Sequence, residues 1–565
     1  MRVSSQCAAS LFGLAAALVL PVTAQAQSIG YDPVGGTGGS DAGSYQPSSD
    51  SGGGTASRKR RTEVTPYIEI AQVVNAQLSP GNDVLTYTQV AAGVDATISG
   101  RNTGAAVSAR YARQIGWGDT RDADIISGIA HGYATVTPGL TVTAGGLATQ
   151  TSYSGGSGTS GRGDDGYRLY SVYAGPALKT RVGDVDVAAS YRAGYSRLED
   201  KNGYQASVDS APVDFVSESV VQSADVQAGV APGVVLPVGL AVGGSFYQED
   251  ITDLDQRVRD MQARAMVTVP VNRTTQVVGA IGYEDVEISN RDAVYDEDGN
   301  PVIGTDGHYV VDKSVPRQLS YDVSGIIWDV GVMWRPSQRT ALSAHVGRRY
   351  GSTSFGGTLA YAPDDRKHLS IAVYDNVAGF GGQVNRALYD LPDDFEAVRD
   401  PVTGELNGCV NSLEGNNCLS GVLGSVRTSA FRARGVAASY TMQLGRINAG
   451  IGLGYDRRKY IAAEDTILAS VNGTVDENYW LSAFLSGRLG SRASWSTNAH
   501  ANWTSSNYST LGDSAVYGIS AAYYRSITPR LSGTLAVSVD GTTYNDTDID
   551  DIWYASGLAA LRYSF

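Results

Sequence analysis

The last fifteen residues of the chain, from Asp551 to Phe565, alternate between apolar and polar side chains. Successive side chains of a β-strand point to opposite faces. One face of this segment therefore carries apolar or small residues, namely Trp553, Ala555, Gly557, Ala559, Leu561, Tyr563 and Phe565. The other face carries Tyr554, Ser556, Leu558, Ala560, Arg562 and Ser564, which are mostly polar. A strand with one apolar face, one mostly polar face and aromatic ends is typical of a transmembrane β-barrel.

The chain ends on Phe565, with Tyr563 and Leu561 two and four positions earlier. This ending resembles the signal by which Gram-negative bacteria assemble outer-membrane barrels. We therefore interpret Leu561, Tyr563 and Phe565 as an assembly signal. The barrel-assembly machinery is then an expected partner.

The same alternation runs from residue 66 to residue 565 without a compositional break. Ten short stretches with turn-forming Pro, Gly, Asn or Asp interrupt it, at 99–104, 137–139, 179–184, 231–239, 270–273, 335–339, 362–367, 445–446, 490–492 and 528–530. Longer connections lie between them, including 152–166, 198–218, 289–319 and 376–426. The alternation makes the fold class all-β. Ten short turns, with both chain ends on the same side as those turns, imply about 22 strands. We therefore predict a single large antiparallel transmembrane β-barrel of about 22 strands, with about 18 or 20 as alternatives.

Alternation also predicts which side chains face the interior. A charge facing lipid at mid-bilayer costs roughly 2–4 kcal/mol, so charged positions are assigned to the lumen. The predicted lumen-facing polar residues are Asp186, Arg192, Asp329, Arg335, Asn448, Asp456, Asn498, His500, Asn502 and Arg562. The interior is therefore expected to be polar.

The amino-terminal segment predicts export. An apolar run from Ala8 to Val22 precedes the small-x-small site Ala24-Gln25-Ala26, as in a secretory signal peptide. We assign residues 1–26 to the signal peptide, 27–62 to a disordered Gly/Ser-rich periplasmic tether, and 63–565 to the barrel. After residue 26 no run of roughly 20 apolar residues could form a membrane helix.

Composition limits the classes of partner. The chain has 565 residues and a formal charge of −14. An acidic chain is a poor partner for nucleic acid, whose phosphates require a basic surface. The long uninterrupted alternation also argues against several soluble domains.

Enzyme signatures do not emerge from the sequence. It contains no phosphate-binding loop, no nucleophile elbow and no His-Glu-x-x-His motif. Gly450, Gly452 and Gly454 alternate within a strand, so small inward residues explain them better than a nucleotide fingerprint. The five histidines are scattered without the spacing of metal ligands. We expect no catalytic, cofactor or metal site.

Two long connections carry further features. Cys409 and Cys418 are the cysteines that remain after signal cleavage, and they lie in an oxidising compartment. A disulfide between them is predicted. The acidic segment 296–300 could supply oxygen ligands to Ca²⁺, but Asp298-Gly299 favours a hairpin tip.

The segment 383–398 carries apolar residues every three or four positions, namely Val384, Leu388, Leu391 and Phe395. This spacing predicts a short amphipathic helix that Pro392 interrupts. Such a helix either folds into the mouth or lumen of the barrel or rests on its outer rim. The sequence does not distinguish these alternatives.

Three segments resemble the outer-membrane beta-barrel porin type 2 family: residues 65–70, residues 84–88, and residues 334–344 running into 347–351. The resemblance implies an integral barrel of the cell outer membrane that serves as a conduit for exported exopolysaccharide. Implied partners are membrane lipid and lipopolysaccharide, polysaccharide, and periplasmic export components. The tether and both termini would then be periplasmic.

Two other functional classes remain open. One is a structural or adhesive barrel whose loops close its lumen, and the other, ranked last, is an outer-membrane enzyme. An energy-coupled receptor should carry a plug domain before its barrel, and an autotransporter should carry a large passenger. The sequence fits neither expectation.

Overall fold

The computed structural model describes residues 61–118, 120, 122–151, 167–204, 213–305, 307–364, 366–391, 395–404, 406–411, 417–418, 428–507, 513–545 and 550–565. The predicted signal peptide 1–26 lies outside these residues, as does the predicted tether up to residue 60. The first strand begins at Arg61.

Strands dominate the described chain. Fifteen come first: β1 Arg61–Ser79, β2 Val84–Ser99, β3 Thr103–Trp117, β4 Ala123–Thr137, β5 Leu140–Thr151, β6 Tyr167–Val182, β7 Val185–Tyr204, β8 Val213–Val230, β9 Gly239–Ile251, β10 Gln256–Pro270, β11 Thr275–Asn290, β12 Gln318–Ser337, β13 Thr340–Arg349, β14 Ser352–Asp364 and β15 Lys367–Ala378. Helix α1, Phe380–Tyr389, and three short strands follow: β16 Glu396–Arg399, β17 Leu406–Asn411 and β18 Asn417–Cys418. The remaining strands are β19 Phe431–Leu444, β20 Ile447–Tyr460, β21 Val475–Arg488, β22 Ala493–Ser506, β23 Ser514–Ser526, β24 Leu531–Tyr544 and β25 Ile552–Ser564. Two 3₁₀ turns lie at Asp253–Asp255 and Ile467–Val471.

Twenty-two of these strands form one closed antiparallel barrel, while β16, β17 and β18 form a separate small sheet. Each barrel strand pairs with the next along the chain, and β25 pairs with β1, where Leu561 lies opposite Ile70. The predicted fold class and strand number are confirmed.

The connections divide between the two ends of the barrel. All ten predicted short turns lie at the end that also holds Arg61 and Phe565, which we call the turn end. The opposite end, which we call the loop end, holds the long connections. Several of its connections are nevertheless short, including those at residues 80–83, 118–122, 252–255 and 350–351. A strict alternation of short and long connections was therefore wrong.

Strand boundaries at the loop end also differ from the prediction. β7 continues to Tyr204 and β8 begins at Val213, inside the predicted connection 198–218. The β11–β12 connection spans residues 291–317, and the β15–β19 connection spans residues 379–430. β7 has 20 residues, about twice what a tilted strand needs to cross a bilayer. The strands extend because Leu198 and Val216 remain buried beyond the membrane-length segment.

The wall has an apolar outer face and a largely polar inner face. On β12, the outward Ile326 and Val330 are 69% and 50% exposed, whereas the inward Ile327 and Asp329 are 1% and 3% exposed. Closure gives every barrel strand a paired neighbour on both sides, which leaves no edge strand, although the pairing of β14 with β15 stops at Gly357. No helix in the described ranges is long and apolar enough to span a membrane, a finding that does not bear on strands.

Candidate functional site

The connection of residues 379–430, which we call the inserted connection, has described parts that lie inside the barrel, and its first element is α1. The Glu249 carboxylate on β9 lies at the start of this helix. It accepts hydrogen bonds from the backbone N–H groups of Gly379 at 2.6 Å and Gly382 at 3.1 Å. It also accepts from the Tyr247 hydroxyl at 2.5 Å and the Ser219 hydroxyl at 2.7 Å. A carboxylate here satisfies otherwise unpaired N–H groups and favours the positive end of the helix dipole.

The apolar face of α1 packs on the inner wall. Val384 and Leu388 are 1% and 0% exposed, and Leu391 and Phe395 are also buried. They form one cluster with inward residues of β3 to β9, namely Ala106, Ile129, Leu147, Leu169, Tyr173, Leu198 and Ile251. Of the two alternatives left open by the sequence, the lumen position is the observed one.

Polar contacts fix the same helix in register with the wall. The Asn385 amide donates to the Ser196 hydroxyl at 3.0 Å, and its side chain lies over Gly194 on β7. The Arg192 guanidinium stacks on the Tyr389 ring at 4.0 Å. A cavity of about 30 Å³ remains between helix and wall, room for about one water.

After α1 the chain forms a hairpin of β16 and β17. Its tip begins at Asp400, whose carboxylate accepts the N–H groups of Val402 at 2.9 Å and Thr403 at 2.8 Å. Gly404 closes the turn with a left-handed φ of 74° and donates to the Asp400 carbonyl at 2.8 Å. We call residues 400–404 the tip.

Polar groups of β3 and β4 hold one side of this tip. Arg399 donates to the hydroxyls of Ser127 at 2.6 Å and Ser108 at 3.1 Å. Arg110 donates to the Thr403 carbonyl at 3.2 Å and pairs with Glu69 at 2.7 Å. The tip is thus tied to a charged site on the inner wall.

The other side of the tip reaches a different part of the wall. Val402 is 1% exposed and packs in a cluster with residues of β1, β2 and β23 to β25. Among them, Ala536 lies five residues after the first residue of β24, well toward the turn end. The inserted connection therefore crosses the lumen from the β5–β8 wall to the β23–β25 wall.

Charged side chains line the wall beside the inserted connection. The Arg349 guanidinium donates to both Asp260 oxygens at 2.7 Å and contacts Glu284 at 3.3 Å. Arg264 pairs with Asp329. All five are almost completely buried. Removing one partner of such a network leaves a buried charge, at a cost of about 3–5 kcal/mol.

A second inner-wall group lies on β15 and β20. Asp456 pairs with Arg458 at 2.6 Å and accepts from the Tyr374 hydroxyl at 3.1 Å. Arg458 also lies over the Phe431 ring. The predicted Asp329 and Asp456 thus both lie in ion-paired clusters rather than facing open solvent.

The structure spreads the other sequence-predicted lumen residues around the wall. Asp186 pairs with Arg181 at 2.6 Å close to the turn end. Arg335 and Asn448 are exposed near the same end. On β22, Asn502 is buried, Asn498 is half-buried and His500 lies beside Gly518. Arg192, already described, contacts α1.

The carboxyl-terminal strand shows the expected alternation of exposure. Leu561 and Phe565 are 48% and 65% exposed on the outer face. Tyr563 packs edge-on against Phe565. Arg562 pairs with Asp95 at 2.8 Å. Recognition of this ending by assembly machinery stays a prediction.

The two cysteines lie in the small sheet beside the hairpin. Cys409 of β17 is directly opposite Cys418 of β18 in the antiparallel register. Opposed residues have Cα atoms about 4.5–5.5 Å apart, within the range a disulfide needs. The disulfide itself stays a prediction.

The acidic segment of the β11–β12 connection forms a hairpin tip. The Asp296 carboxylate accepts from the N–H groups of Asp298 at 3.0 Å and Asn300 at 2.8 Å, and Gly299 has a φ of 81°. Within the described residues, no group of three acidic, His or Cys side chains is placed to hold a metal ion.

Sequence reasoning missed the residues that position the inserted connection. Glu249, Arg110 and Glu69 each occupy an inward position of an alternating strand, which is the signal that could have identified them. Asp400 and Gly404 bracket a Pro-containing turn, a recognisable hairpin signal. Their partners lie far away in sequence, so pattern alone could not pair them.

No protein-family model matches the chain, and no curated protein matches it. The resemblance to the porin type 2 family therefore stays an expectation. Comparison with solved structures finds large barrels at low similarity. The FrpB iron transporter from Neisseria meningitidis aligns with a TM-score of 0.41 and 9% identity, over 88% of this chain and 81% of that one.

Two other solved structures align comparably. The ferric enterobactin receptor from Pseudomonas aeruginosa, crystallised as a point mutant, gives a TM-score of 0.40 and 10% identity over 88% of this chain and 81% of that one. The copper transporter OprC gives a TM-score of 0.37 and 12% identity, over 89% of this chain and 81% of that one. These similarities assign no function to this chain.

Proposed function

We propose that the chain is an integral outer-membrane protein that conducts a hydrophilic solute through its barrel, with the inserted connection as its constriction. The turn end, with both ends of the barrel domain, faces the periplasm in this proposal. The observation that carries it is the connection of residues 379–430, held across the lumen of a closed barrel by polar contacts.

The outer face supports a membrane location. Ile326, Val330 and Leu453 belong to an exposed apolar surface that would be unfavourable in water but suits lipid. Tyr517 stacks on Trp553 and meets Trp503 edge-on near the loop end. Aromatic rings at this height fit the headgroup region of a bilayer.

The means of attachment supports a movable constriction. Arg399 reaches the wall through the hydroxyl and carbonyl groups of Ser108 and Ser127, and water can replace such partners. Each bond from a charged guanidinium group to a neutral acceptor contributes about 1.5–3 kcal/mol. Among the described residues no ion pair joins Arg399 or the tip to the wall, so detachment of the tip would break hydrogen bonds but no ion pair, whereas the wall itself is locked by backbone pairing.

The transported solute we propose is an exported exopolysaccharide, as the family resemblance implies. Inward Asn498, Asn502 and Asp540 provide donors and acceptors for sugar hydroxyls along one wall. Barrels of this strand number leave an interior wide enough to hold more than side chains. Periplasmic export components would deliver the polymer to the turn end.

A structural or adhesive barrel with a closed lumen is the second candidate. The complete burial of Leu388 and the near-complete burial of Val402 favour it, because a firmly packed connection would not open. Single-channel recording of the purified protein in planar bilayers distinguishes the two. A conduit shows reversible openings, whereas a closed barrel stays silent.

The polysaccharide assignment is tested in cells. Deleting the gene should abolish secretion of the polymer, and the full-length chain should restore it. A variant with residues 383–404 replaced by a short Gly/Ser segment should restore secretion and conduct continuously in bilayers. Normal secretion in the deletion strain would contradict the assignment.

A further inference from the structure

The outer surface of the barrel carries one strongly basic sector at the loop end. It comprises five outward-facing side chains on β13, β19 and β20, which we call the basic sector: Arg348, Arg432, Arg434, Arg457 and Lys459. Arg348 lies opposite the exposed Trp328, which fixes its outward direction. Arg457 and Lys459 continue the exposed outer row of Ile451 and Leu453.

Register and hydrogen bonds make the basic sector continuous. Arg434 lies opposite Arg457, and Arg432 lies opposite Lys459 in the β19–β20 pairing. Directly opposed Cα atoms are about 4.5–5.5 Å apart. Arg434 also donates to the Thr353 carbonyl at 2.9 Å, and Thr353 is the cross-strand partner of Arg348.

The wall is incomplete beneath this sector, which explains why arginines gather there. Pairing between β14 and β15 covers Gly357 to Tyr361 but does not continue to Ser352, although both strands remain paired with their other neighbours. Arg432 and Arg434 bridge the gap through Asp375 and Ser352.

The sector retains surplus positive charge after its ion pairs are counted. Its outward carboxylates are Asp375, shared by Arg432 and Arg434, and Glu477, which lies 3.4 Å from Arg457. Five cations against two carboxylates leave an excess of three positive charges. Arg348 and Lys459 make no ion pair or hydrogen bond within the described part of the chain.

Other sectors of the same rim are neutral or acidic. On β3 to β6, Arg113 and Arg168 meet Asp122 and Asp124. On β7 and β8, Arg197 meets Glu199 and Glu218. On β9 to β11, Arg257 forms an ion pair with Asp250, and Arg259 forms ion pairs with Asp285 and Glu287. The excess thus contrasts with these three sectors, in a chain whose formal charge is −14.

Aromatic side chains border the basic sector: Trp328 is level with Arg348, while Phe355 and Tyr455 lie one outward position further toward the turn end. Trp328, Phe355 and Tyr455 face outward there, and the Tyr455 ring lies 4.8 Å from that of Tyr479. Such rings mark the headgroup level of a bilayer. The cations beside and above them are thus placed at the height of lipid phosphates.

We infer that the basic sector binds the phosphorylated headgroup of an outer-leaflet glycolipid of the lipopolysaccharide type. This inference rests on the proposed orientation of the barrel, with its loop end outward. Guanidinium groups match phosphate oxygens in a bidentate geometry, and lysine adds a mobile charge. The acyl chains of the same lipid would lie against Trp328 and Phe355.

Lipid binding is tested with protein from detergent extracts, titrated with diphosphoryl lipid A and read by native mass spectrometry. The sector triple carries Arg348→Gln, Arg457→Gln and Lys459→Gln, which leaves the Asp375 bridge intact. The matched control triple carries Arg113→Gln, Arg168→Gln and Arg257→Gln on other parts of the rim. Both should keep the heat-modifiable mobility of a folded barrel.

We expect at least about tenfold weaker binding for the sector triple, given the contribution of each cation near an anionic lipid surface, and under about twofold for the control. Lipid A stripped of phosphate should bind poorly to the wild type. Equal loss in both triples, unchanged binding of the stripped lipid, or displacement of lipid A by inorganic phosphate alone would overturn the inference.

Conductance separates this inference from the proposed conduit. The sector triple should show the same single-channel behaviour as the wild type, because its substitutions lie outside the lumen. A silent wild type that still binds lipid A through the basic sector would contradict the conduit alone. A conducting barrel that binds lipid A equally well without the sector cations would contradict this inference alone.

Discussion

Two long connections leave the loop end of the barrel, and they fold in opposite ways. Residues 291–317 form a small ladder of their own, in which Ala293 pairs with Val311 and Ile303 with Tyr309. The connection between β15 and β19 instead places α1 and the tip in the lumen. Both are long and contain Gly, Asp and Pro, so length and turn chemistry do not decide the outcome.

The difference lies in what each connection leaves unsatisfied. In the 291–317 connection, Val294, Val302 and Val310 bond to one another through their backbones, and the Asp296 tip satisfies itself. The inserted connection presents an apolar helix face and N–H groups that only the inner wall satisfies. Burying each large apolar side chain contributes about 1.5–3 kcal/mol. Insertion thus follows from complementarity with the wall.

The short turn at residues 252–255 touches both connections and shows the contrast at two neighbouring aspartates. Asp255 is 40% exposed and pairs with Arg291 and Arg317 of the outer connection. Asp253 is 3% exposed and lies close to the Thr428 hydroxyl, where the inserted connection returns to the wall. Burial raises the pKa of Asp253 to about 7, although nearby hydroxyls oppose the rise.

The largest effect should come from Glu249→Ala. The change removes four hydrogen bonds to a buried carboxylate and leaves the start of α1 unsatisfied, so we expect α1 to lose about 3–5 kcal/mol of local stability. Hydrogen exchange of residues 380–389 measures this. Glu287→Ala, which removes an exposed partner of Arg259, should leave α1 unchanged. Unchanged exchange in the Glu249 variant would refute the anchor.

A glycine pair compares the two tips directly. Gly404→Ala would place a Cβ against the Arg110 guanidinium at a left-handed φ of 74°, whereas Gly299→Ala at 81° would meet open space. We expect about 2–4 kcal/mol of destabilisation at the inserted tip and about 1–2 kcal/mol at the outer one. Single-channel open time should rise only for Gly404→Ala. Equal effects in both variants would show that the tip at residues 400–404 is not packed against the inner wall.

A pH dependence should distinguish the two aspartates. The folded-state pKa of Asp253 lies above its ordinary value of 3.8, so the folded state holds a proton that the unfolded state releases between about pH 4 and pH 7. Stability near Asp253 should therefore fall by up to about 4 kcal/mol as pH rises through this window.

Asp253→Asn should remove that pH dependence, while Asp255→Asn should preserve it. Hydrogen exchange around residues 428–431, corrected for the intrinsic rate at each pH, provides the measurement. Stability that rises with pH in the wild type would contradict the assignment.

The smallest effect should come from reducing the predicted disulfide. If Cys409 and Cys418 are bonded, closing this short loop contributes about 1–3 kcal/mol to the small sheet. Reductant, or Cys409→Ser with Cys418→Ser, should raise proteolysis of residues 406–418 without disturbing α1. Free thiols in protein isolated under oxidising conditions would show that the bond does not form.

The sequence predicts the barrel well because its determinants are local. Turn residues such as Pro270 and Gly445 and the period-two alternation specify strand number and which face of each strand is apolar. Each strand repeats the same information, so small boundary errors do not change the fold.

The inserted connection is harder to predict because its contacts are remote. The spacing of Val384 and Leu388 predicts a helix within 383–398, yet α1 spans Phe380–Tyr389. Its start is shifted because Glu249, far away in sequence, stabilises a glycine-rich first turn that propensity disfavours. Similarly, the bond from Arg110 to Thr403 joins residues 293 positions apart.

A cysteine cross-link tests most directly whether the connection occupies the lumen. A Cβ at Gly194 would lie 2.6 Å from the Asn385 Cγ, close to where a cysteine sulfur would stand. In a Cys409→Ser, Cys418→Ser background, Gly194→Cys with Asn385→Cys should form a disulfide in native membranes, while Gly194→Cys with Gly299→Cys should not. Free maleimide labelling of both thiols in the first pair would contradict insertion.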